Sequence, residues 1–234
     1  MKIRKVIHFH SITSTNIVLK EKALQSEPEG TVLLADEQTQ GIGRFNKKWE
    51  SPKNKGLYFS ILLRPAIHPS HSPFLSLIPS IAVVRVLHSL YRLPARVKWP
   101  NDILVHGKKV CGILCESSAT ADLVQFFIIG IGVNLHQDVK DFSKNIANTA
   151  ASLSMLSDKK ITSEDLFYHI LKEIDRLYEK ISKPNWTSRI RDEWMKYCDH
   201  FNQEIKITKM ATEIKGYFAG IDSDGNPILA KDVF

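Results

Sequence analysis

The segment VKWPNDILVHGKKVCGILCESS, Val97 to Ser118, sets Lys98, Asn101 and Asp102 around a proline in an otherwise strand-like run. Pro100 fixes its own φ and pushes Trp99 toward extended backbone, so the exit of that strand is rigid. On a strand Lys98 and Trp99 point to opposite faces; one can pack in a core while the other faces a cleft. A lysine on a rigid element is a suitable point charge for a phosphate. Asn101 and Asp102 can close a turn; an amide beside a carboxylate can equally bind a polar ligand edge or a metal ion.

Three further segments carry chemistry only in combination. QTQGIGRFNKKW, Gln38 to Trp49, interrupts two strand-like runs with Gly41, Gly43, Arg44, Lys47 and Lys48. Its glycines let backbone N–H groups approach a ligand and its cations add positive charge, which makes an anion cradle. It is neither GxxxxGK[ST] nor G-x-G-x-x-G, which fails at Asn46, and it leads into a strand, so no helix dipole assists. IIGIGVNL, Ile128 to Leu135, carries Gly130, Gly132 and Asn134. Two glycines on one strand face leave room for a flat ring, or for a bulge or a tightly packed second sheet. STN, Ser14 to Asn16, offers hydroxyls at a helix start, where an N-cap is the simplest role.

The elements that must position these groups are legible in the pattern. KVIHFHSI, TVLLAD and GLYFSILLRP read as strands, and IVLKEKALQ as a helix ended by PEG. SPFLSLIPSIAVVRVLHSLYRLP reads as a buried helix capped by Ser72, with Pro73 in its first turn and a kink or break at Pro79. ARVKWP, DILVHG, KKVCGILCES and LVQFFIIGIGVNL are four successive strands. TSEDLFYHILKEIDRLYEKI is a helix with Thr162 and Asp165 as a capping box and an apolar stripe at Leu166, Ile170, Ile174, Leu177 and Ile181. A second helix follows Pro184 with Trp186, Ile190 and Trp194. Beyond Asp199 come short strands with a Gly-containing turn. The expectation is an α+β fold with a mixed, largely antiparallel central sheet and flanking helices over residues 1–199. Residues 200–234 form a small β appendage that needs the main body for stability.

Composition narrows the class. The 234 residues are 43% hydrophobic and 24% charged, an ordinary globular balance, and the net charge of +7 suits an anionic partner. Cys111, Cys115 and Cys198 form no C-x-x-C pair, and their odd number argues against a secreted disulfide framework. The N-terminus lacks an apolar signal core, and no window reads as an unbroken membrane span. The expected setting is the cytoplasm, with no membrane partner.

Taken together and in order, TSTN, QTQGIGRFNKKW, KWPNDILVHGKKVCGILCE and GIGVNL resemble the catalytic domain of biotin protein ligases. K-W-P-N-D followed by G-x-K-x-x-G-I-L-x-E is the most specific part. The resemblance implies a class II synthetase-like biotin/lipoate ligase fold with a C-terminal SH3-like appendage, which would be short for a closed barrel. It implies joining of biotin to ATP as biotinyl-5′-AMP, then transfer to a lysine of a biotin carboxyl carrier domain. Ser14, Thr15 and Gln38 would bind the biotin head group, and Gly41, Gly112, Gly130 and Gly132 would wall its pocket. Arg44 would meet the phosphates, and Lys98 would bridge the biotin carboxylate and the α-phosphate. Trp49, Asn101 and Asn134 would lie on the ATP side, and Asp102 would guide the acceptor lysine. Magnesium would ride on the ATP phosphates, with no metal site of the protein's own. Ile42 and Asn46 replace an arginine and a glycine of the family loop, and Ala151 stands where a threonine is common. A lipoate-type ligase of the same fold is the alternative, but no R-R-x-S-G-G-G run is present. No segment reads as a DNA-binding winged helix, so no nucleic-acid partner is expected; a homodimer is compatible with the resemblance.

Overall fold

The computed structural model describes residues 3–209 and 212–232. In chain order the elements are β1 (Lys5–Phe9), α1 (Thr15–Leu24), β2 (Thr31–Ala35), β3 (Gly56–Leu63), α2 (Ser72–Leu75) and α3 (Ile78–Tyr91). Then follow β4 (Ala95–Lys98), β5 (Asp102–Val105), β6 (Lys108–Ala119), β7 (Val124–Asn134) and α4 (Leu153–Leu156). The chain continues through α5 (Ser163–Tyr178), α6 (Trp186–Met195), β8 (Glu204–Lys209), β9 (Thr212–Ile221) and β10 (Pro227–Ala230).

Seven strands make one sheet in the order β1-β2-β3-β7-β6-β5-β4. Only β1 and β2 run parallel; the other neighbours are antiparallel. The fold is therefore α+β with a mixed, largely antiparallel sheet. Side chains alternate between faces along each strand. Phe59, Ile61, Ile129, Ile131 and Val133 point into the larger core under α3, α5 and α6, whose Leu166, Ile170, Ile174, Trp186, Ile190 and Trp194 are all buried there. Each such fully buried aliphatic or aromatic side chain contributes roughly 2 kcal/mol of transfer free energy. The opposite face is covered in part by α1, through Leu19 and Ala23 against Leu33, Leu62 and Ile128. The remainder of that face, beyond α1, is where Gly112 and Gly132 lie.

Local signals held with two corrections. Thr162 caps α5 as expected, its Oγ1 accepting from the Asp165 N–H at 3.2 Å. Ser72 does not cap: it is the first residue of α2, whose N-cap is His71. The break lies at Ser76–Leu77, leaving Pro79 in the first turn of α3, where its missing N–H costs nothing. The stretch Pro69–Tyr91 is apolar and long enough by composition to cross a membrane, contrary to the sequence expectation, but it is interrupted here and 67% of its window is buried.

The last three strands form a separate antiparallel sheet ordered β10-β9-β8, the expected small appendage. Met1, Lys2, Met210, Ala211, Val233 and Phe234 of the expected segments lie outside the described residues. The appendage packs on the main body through Phe218, which is fully buried and meets the rings of Trp194 and His200. The connection from α6 is laced to the sheet edge: Val97 N–H donates to Tyr197 O, and Asp199 N–H donates to Val97 O, both at 2.8 Å.

Candidate active site

A cavity of about 360 Å³ opens on the α1 face of the sheet. The strand registers explain its floor. Ser60, Gly130 and Leu114 form one cross-strand row; Tyr58, Gly132, Gly112, Asp102 and Lys98 form the next, two residues along, on the same face. The glycines leave that face low between β3 and β5. Two of them are matched to Trp49, whose indole lies across the floor. A Cβ on Gly112 would come within 2.8 Å of the Trp49 ring, and one on Gly132 would run into Trp49 Nε1. At Gly130 the neighbour is different, since a Cβ there would collide with Asn16 Oδ1. That glycine therefore makes room for a protein amide.

The walls come from three segments. At the inner end Thr15 donates its N–H to Gln38 Oε1 at 2.9 Å, with its hydroxyl 3.1 Å from the same oxygen, and Gln38 Nε2 donates to Ser51 Oγ at 2.9 Å. Ser14 is the N-cap residue of α1 and is buried, yet its side chain makes no capping bond. The 41–49 loop is held by Trp49 N–H to Gly41 O and Gly43 N–H to Lys47 O, at 2.8 and 2.7 Å. Gly41 is packed against backbone; Arg44 and Lys47 line the cavity. A third wall is the 136–150 segment, pinned by a Lys55–Asp141 ion pair at 2.9 Å and by Ser143 N–H to Glu50 Oε2 at 3.2 Å.

Of the residues singled out from sequence, the cavity gathers Ser14, Thr15, Gln38, Arg44, Trp49, Asn101, Asp102, Gly112, Gly130, Gly132 and Asn134. Gly41 sits just behind the wall. Lys98 is the exception. It is exposed at the end of edge strand β4 and does not line the cavity. It shares the face and row of Gly112, but β5 lies between, which puts it roughly 10 Å away on strand spacing. Its positive charge is felt instead by His200, whose imidazole is held below the usual histidine range chiefly by burial, with Lys98 adding to the effect.

While Arg44, Lys47 and Lys48 reach the cavity from the loop, the cation that lines it from the sheet itself is Lys109. Its Nζ lies 2.7 Å from Asp102 Oδ1 and 5.3 Å from the Trp49 ring centroid. A strict alternation along β6 would place Val110 on the face of Gly112 and Lys109 on the other. The register shifts between Ile103 and Leu104, so Cys111 pairs with Ile103 but Lys109 pairs with Leu104. This bulge turns Lys109 to the cavity side and buries Val110 in the core. Sequence reading also missed Asn16, Ser60, Gln137 and Asp141. For Lys109 a signal existed: it is the lysine three residues before Gly112 in G-x-K-x-x-G.

Asn101 and Asn134 are partly committed elsewhere. Asn101 Nδ2 donates to Ile113 O at 2.6 Å, closing the turn after β4. Asn134 Nδ2 reaches Lys109 O and Ala151 O at 3.4 and 3.3 Å. Two buried polar atoms of cavity residues, the donor Trp49 Nε1 and the acceptor Gln137 Oε1, have no hydrogen-bond partner among the described residues. Such orphaned groups are costly unless a ligand or water meets them. Among the described residues no group of three His, Cys, Asp or Glu side chains is placed to hold a metal ion. Neither cysteine beside the cavity floor, Cys111 or Cys115, is prepared as a nucleophile. Cys111 is fully buried and its thiol is pushed up by that burial, and the Cys115 thiol is pushed up to about 12 for the same reason.

Comparison with known proteins gives a consistent result. Residues 8–134 match the model of the biotin/lipoate A/B protein ligase family. The bifunctional ligase/repressor BirA of Bacillus spizizenii is 35% identical over 224 residues, spanning 96% of this chain and 69% of that protein. The biotin–[acetyl-CoA-carboxylase] ligase of Paracoccus denitrificans is 29% identical over 201 residues, 84% of this chain and 82% of the relative. Among solved structures, the biotin protein ligase of Aquifex aeolicus in complex with biotin and ATP superposes with a TM-score of 0.81 at 27% identity, covering 98% of this chain and 97% of that one.

Proposed function

The chain belongs to the biotin/lipoate A/B protein ligase family, and from that premise we infer that it activates biotin with ATP and transfers it to a lysine of a carrier domain. The observation that carries the reading is the cavity itself. Thr15 and Gln38 stand at its inner end, the Lys109 ammonium lies over Trp49, and the 41–49 loop brings Arg44 to its rim.

Attack of the biotin carboxylate on the α-phosphorus brings two anions together, and charge builds on the phosphoryl oxygens as pyrophosphate leaves. Fixed cations lower that barrier more than an acid or base could. Lys109 takes the role expected of Lys98: it is on a strand, braced by Asp102, and reaches the cavity. Arg44 adds a second positive group from the loop. Trp49 and Asn134 would border the nucleotide, with Gln137 Oε1 as an open acceptor for its amino group. Ser14, Thr15 and Gln38 would receive the ureido ring, and Gly112 and Gly132 make room for the Trp49 indole that floors the cavity beside it. Gly130 and Gly41 serve indirectly, by admitting Asn16 and the Trp49 backbone.

In the second step the carrier's amine attacks the mixed anhydride and AMP departs. Asp102 would receive the amine's proton once Lys109 has turned to the phosphate; its present ion pair with Lys109 supports that reading. Magnesium would enter on the triphosphate, since the cavity's Asp102 and Asp141 are each paired with a lysine and form no cage. The cytoplasm, where ATP is abundant and thiols stay reduced, is the setting that fits three free cysteines.

The test is release of pyrophosphate with ATP, magnesium and either biotin or lipoate, with labelling of a purified carrier domain followed by avidin blot. Biotin-dependent release and labelling are expected. Activation of lipoate instead would refute the assignment.

A further inference from the structure

We propose that a buried hydrogen-bond chain, Glu116–Asn16–Ser60–Thr15, fixes the donor–acceptor polarity of the cavity's inner end and so makes the site select a cyclic urea over a ring without N–H groups. The inference rests on the reading that the ligand's head group docks at Thr15 and Gln38.

The chain begins with a group that can only accept. The Glu116 carboxylate accepts from Asn16 Nδ2 at 3.0 Å through Oε2, while its Oε1 accepts from Lys20 Nζ at 3.0 Å. Asn16 Nδ2 also donates to Leu114 O at 3.2 Å. Both neighbours being acceptors, the Asn16 amide has one orientation: flipped, its oxygen would face two other oxygens. Asn16 Oδ1 therefore points to Ser60 Oγ, at 2.6 Å. Ser60 is fully buried and has one hydroxyl hydrogen. It lies 2.6 Å from an oxygen that can only accept and 2.7 Å from Thr15 Oγ1, which can do either. The hydrogen goes to Asn16, so Ser60 accepts from Thr15.

The consequence reaches the cavity. Gln38 Oε1 already takes the Thr15 N–H at 2.9 Å, and the Thr15 hydroxyl is closer to Ser60 Oγ, 2.7 Å, than to Gln38 Oε1, 3.1 Å. With its hydrogen committed to Ser60, Thr15 turns oxygen lone pairs toward the ligand. Gln38 Oε1 retains a lone pair as well. The inner end thus presents acceptors, which a cyclic urea's N–H donors satisfy and a dithiolane ring cannot. A site whose buried acceptors are left unpaired rejects the wrong ligand strongly. Gly130 is part of the device, since any side chain there would displace the Asn16 amide.

The test compares the parent, Thr15→Val, Ser60→Ala and Asn16→Leu with two ligands: biotin, and the cyclic carbonate in which oxygen replaces both ureido N–H groups. Asn16→Leu is near-isosteric and removes the oxygen that takes the Ser60 hydrogen, so it keeps the test open should Ser60→Ala fail to fold. The parent is expected to favour biotin by at least about a hundredfold. Ser60→Ala and Asn16→Leu should each raise the KM for biotin about tenfold, one buried hydrogen bond's worth, with the KM for ATP unchanged and the discrimination shrunken. KM values for biotin and ATP that rise together, or unaltered discrimination, overturn the proposal. Should Thr15→Val raise the biotin KM while those two variants do not, the chain alone is refuted. Should Thr15→Val leave it unchanged, the docking of the head group at Thr15 is refuted, and the proposal with it.

Discussion

Replacing Lys109 by alanine is the sharpest perturbation of the chemistry. At about 4 Å from a phosphoryl oxygen and an effective dielectric of about 20, an ammonium contributes about 4 kcal/mol of Coulomb energy. Losing one preorganised contact of this kind typically costs about 3 kcal/mol in the transition state, or on the order of a hundredfold in kcat. The variant also strands Asp102, whose carboxylate is now ion-paired to Lys109 at 2.7 Å, beside incoming phosphates. Adding Asp102→Asn should therefore recover about tenfold of adenylate formation. Lys98→Ala removes a charge roughly 10 Å off, across water-exposed surface, where about 0.4 kcal/mol remains, a factor of about two. Biotin-dependent exchange of pyrophosphate into ATP reads all three variants, with thermal unfolding as a check on folding. Near-normal exchange in Lys109→Ala would refute the reasoning. So would a hundredfold loss in Lys98→Ala with unchanged unfolding.

Gly132→Ala should displace the Trp49 indole and red-shift its fluorescence while the sheet stays intact; an unchanged spectrum with an unchanged KM for ATP would contradict the floor described for the cavity. His200 has its folded pKa held below its ordinary 6.5, mainly by burial. Its contribution to stability is thus present above about pH 6.5 and lost as pH falls through the folded value, because the unfolded chain takes up the proton first. The urea midpoint should drop between pH 7.5 and 5.5, and His200→Gln should flatten that drop; equal slopes would count against it. Burial also pushes the Cys198 thiol up to about 11, alongside Cys111 and Cys115. All three should resist iodoacetamide at pH 8 until urea is added, and rapid alkylation of native Cys111 would show that this core opens.

The strands and long helices were legible because their periods are local: α5 announces itself by Thr162 and a stripe from Leu166 to Leu177. The order of strands was less so, since β3 pairs with β7 across some 70 residues and nothing in either run names its partner. The site followed the same division. Thr15, Gln38, Trp49 and the glycines could be picked out by type and order. The choice between Lys98 and Lys109 could not be made by counting alternate residues, since one extra residue at Val110 reverses the count. The neighbour of Gly130 was hidden for a related reason. A missing side chain says that something comes close, and here the neighbour is Asn16, from a helix far earlier in the chain.

The two amide bonds that lace Val97 to Tyr197 and Asp199 also act as a guard. Without them β4 would offer a bare row of N–H and C=O groups, with apolar Val97 and half-buried Trp99 beside it, to any other extended chain. A shortened protein ending at α6 would lose more than the small terminal sheet. It would expose a template for edge-to-edge self-association, so expression trials that trim the terminus should retain everything through Asp199.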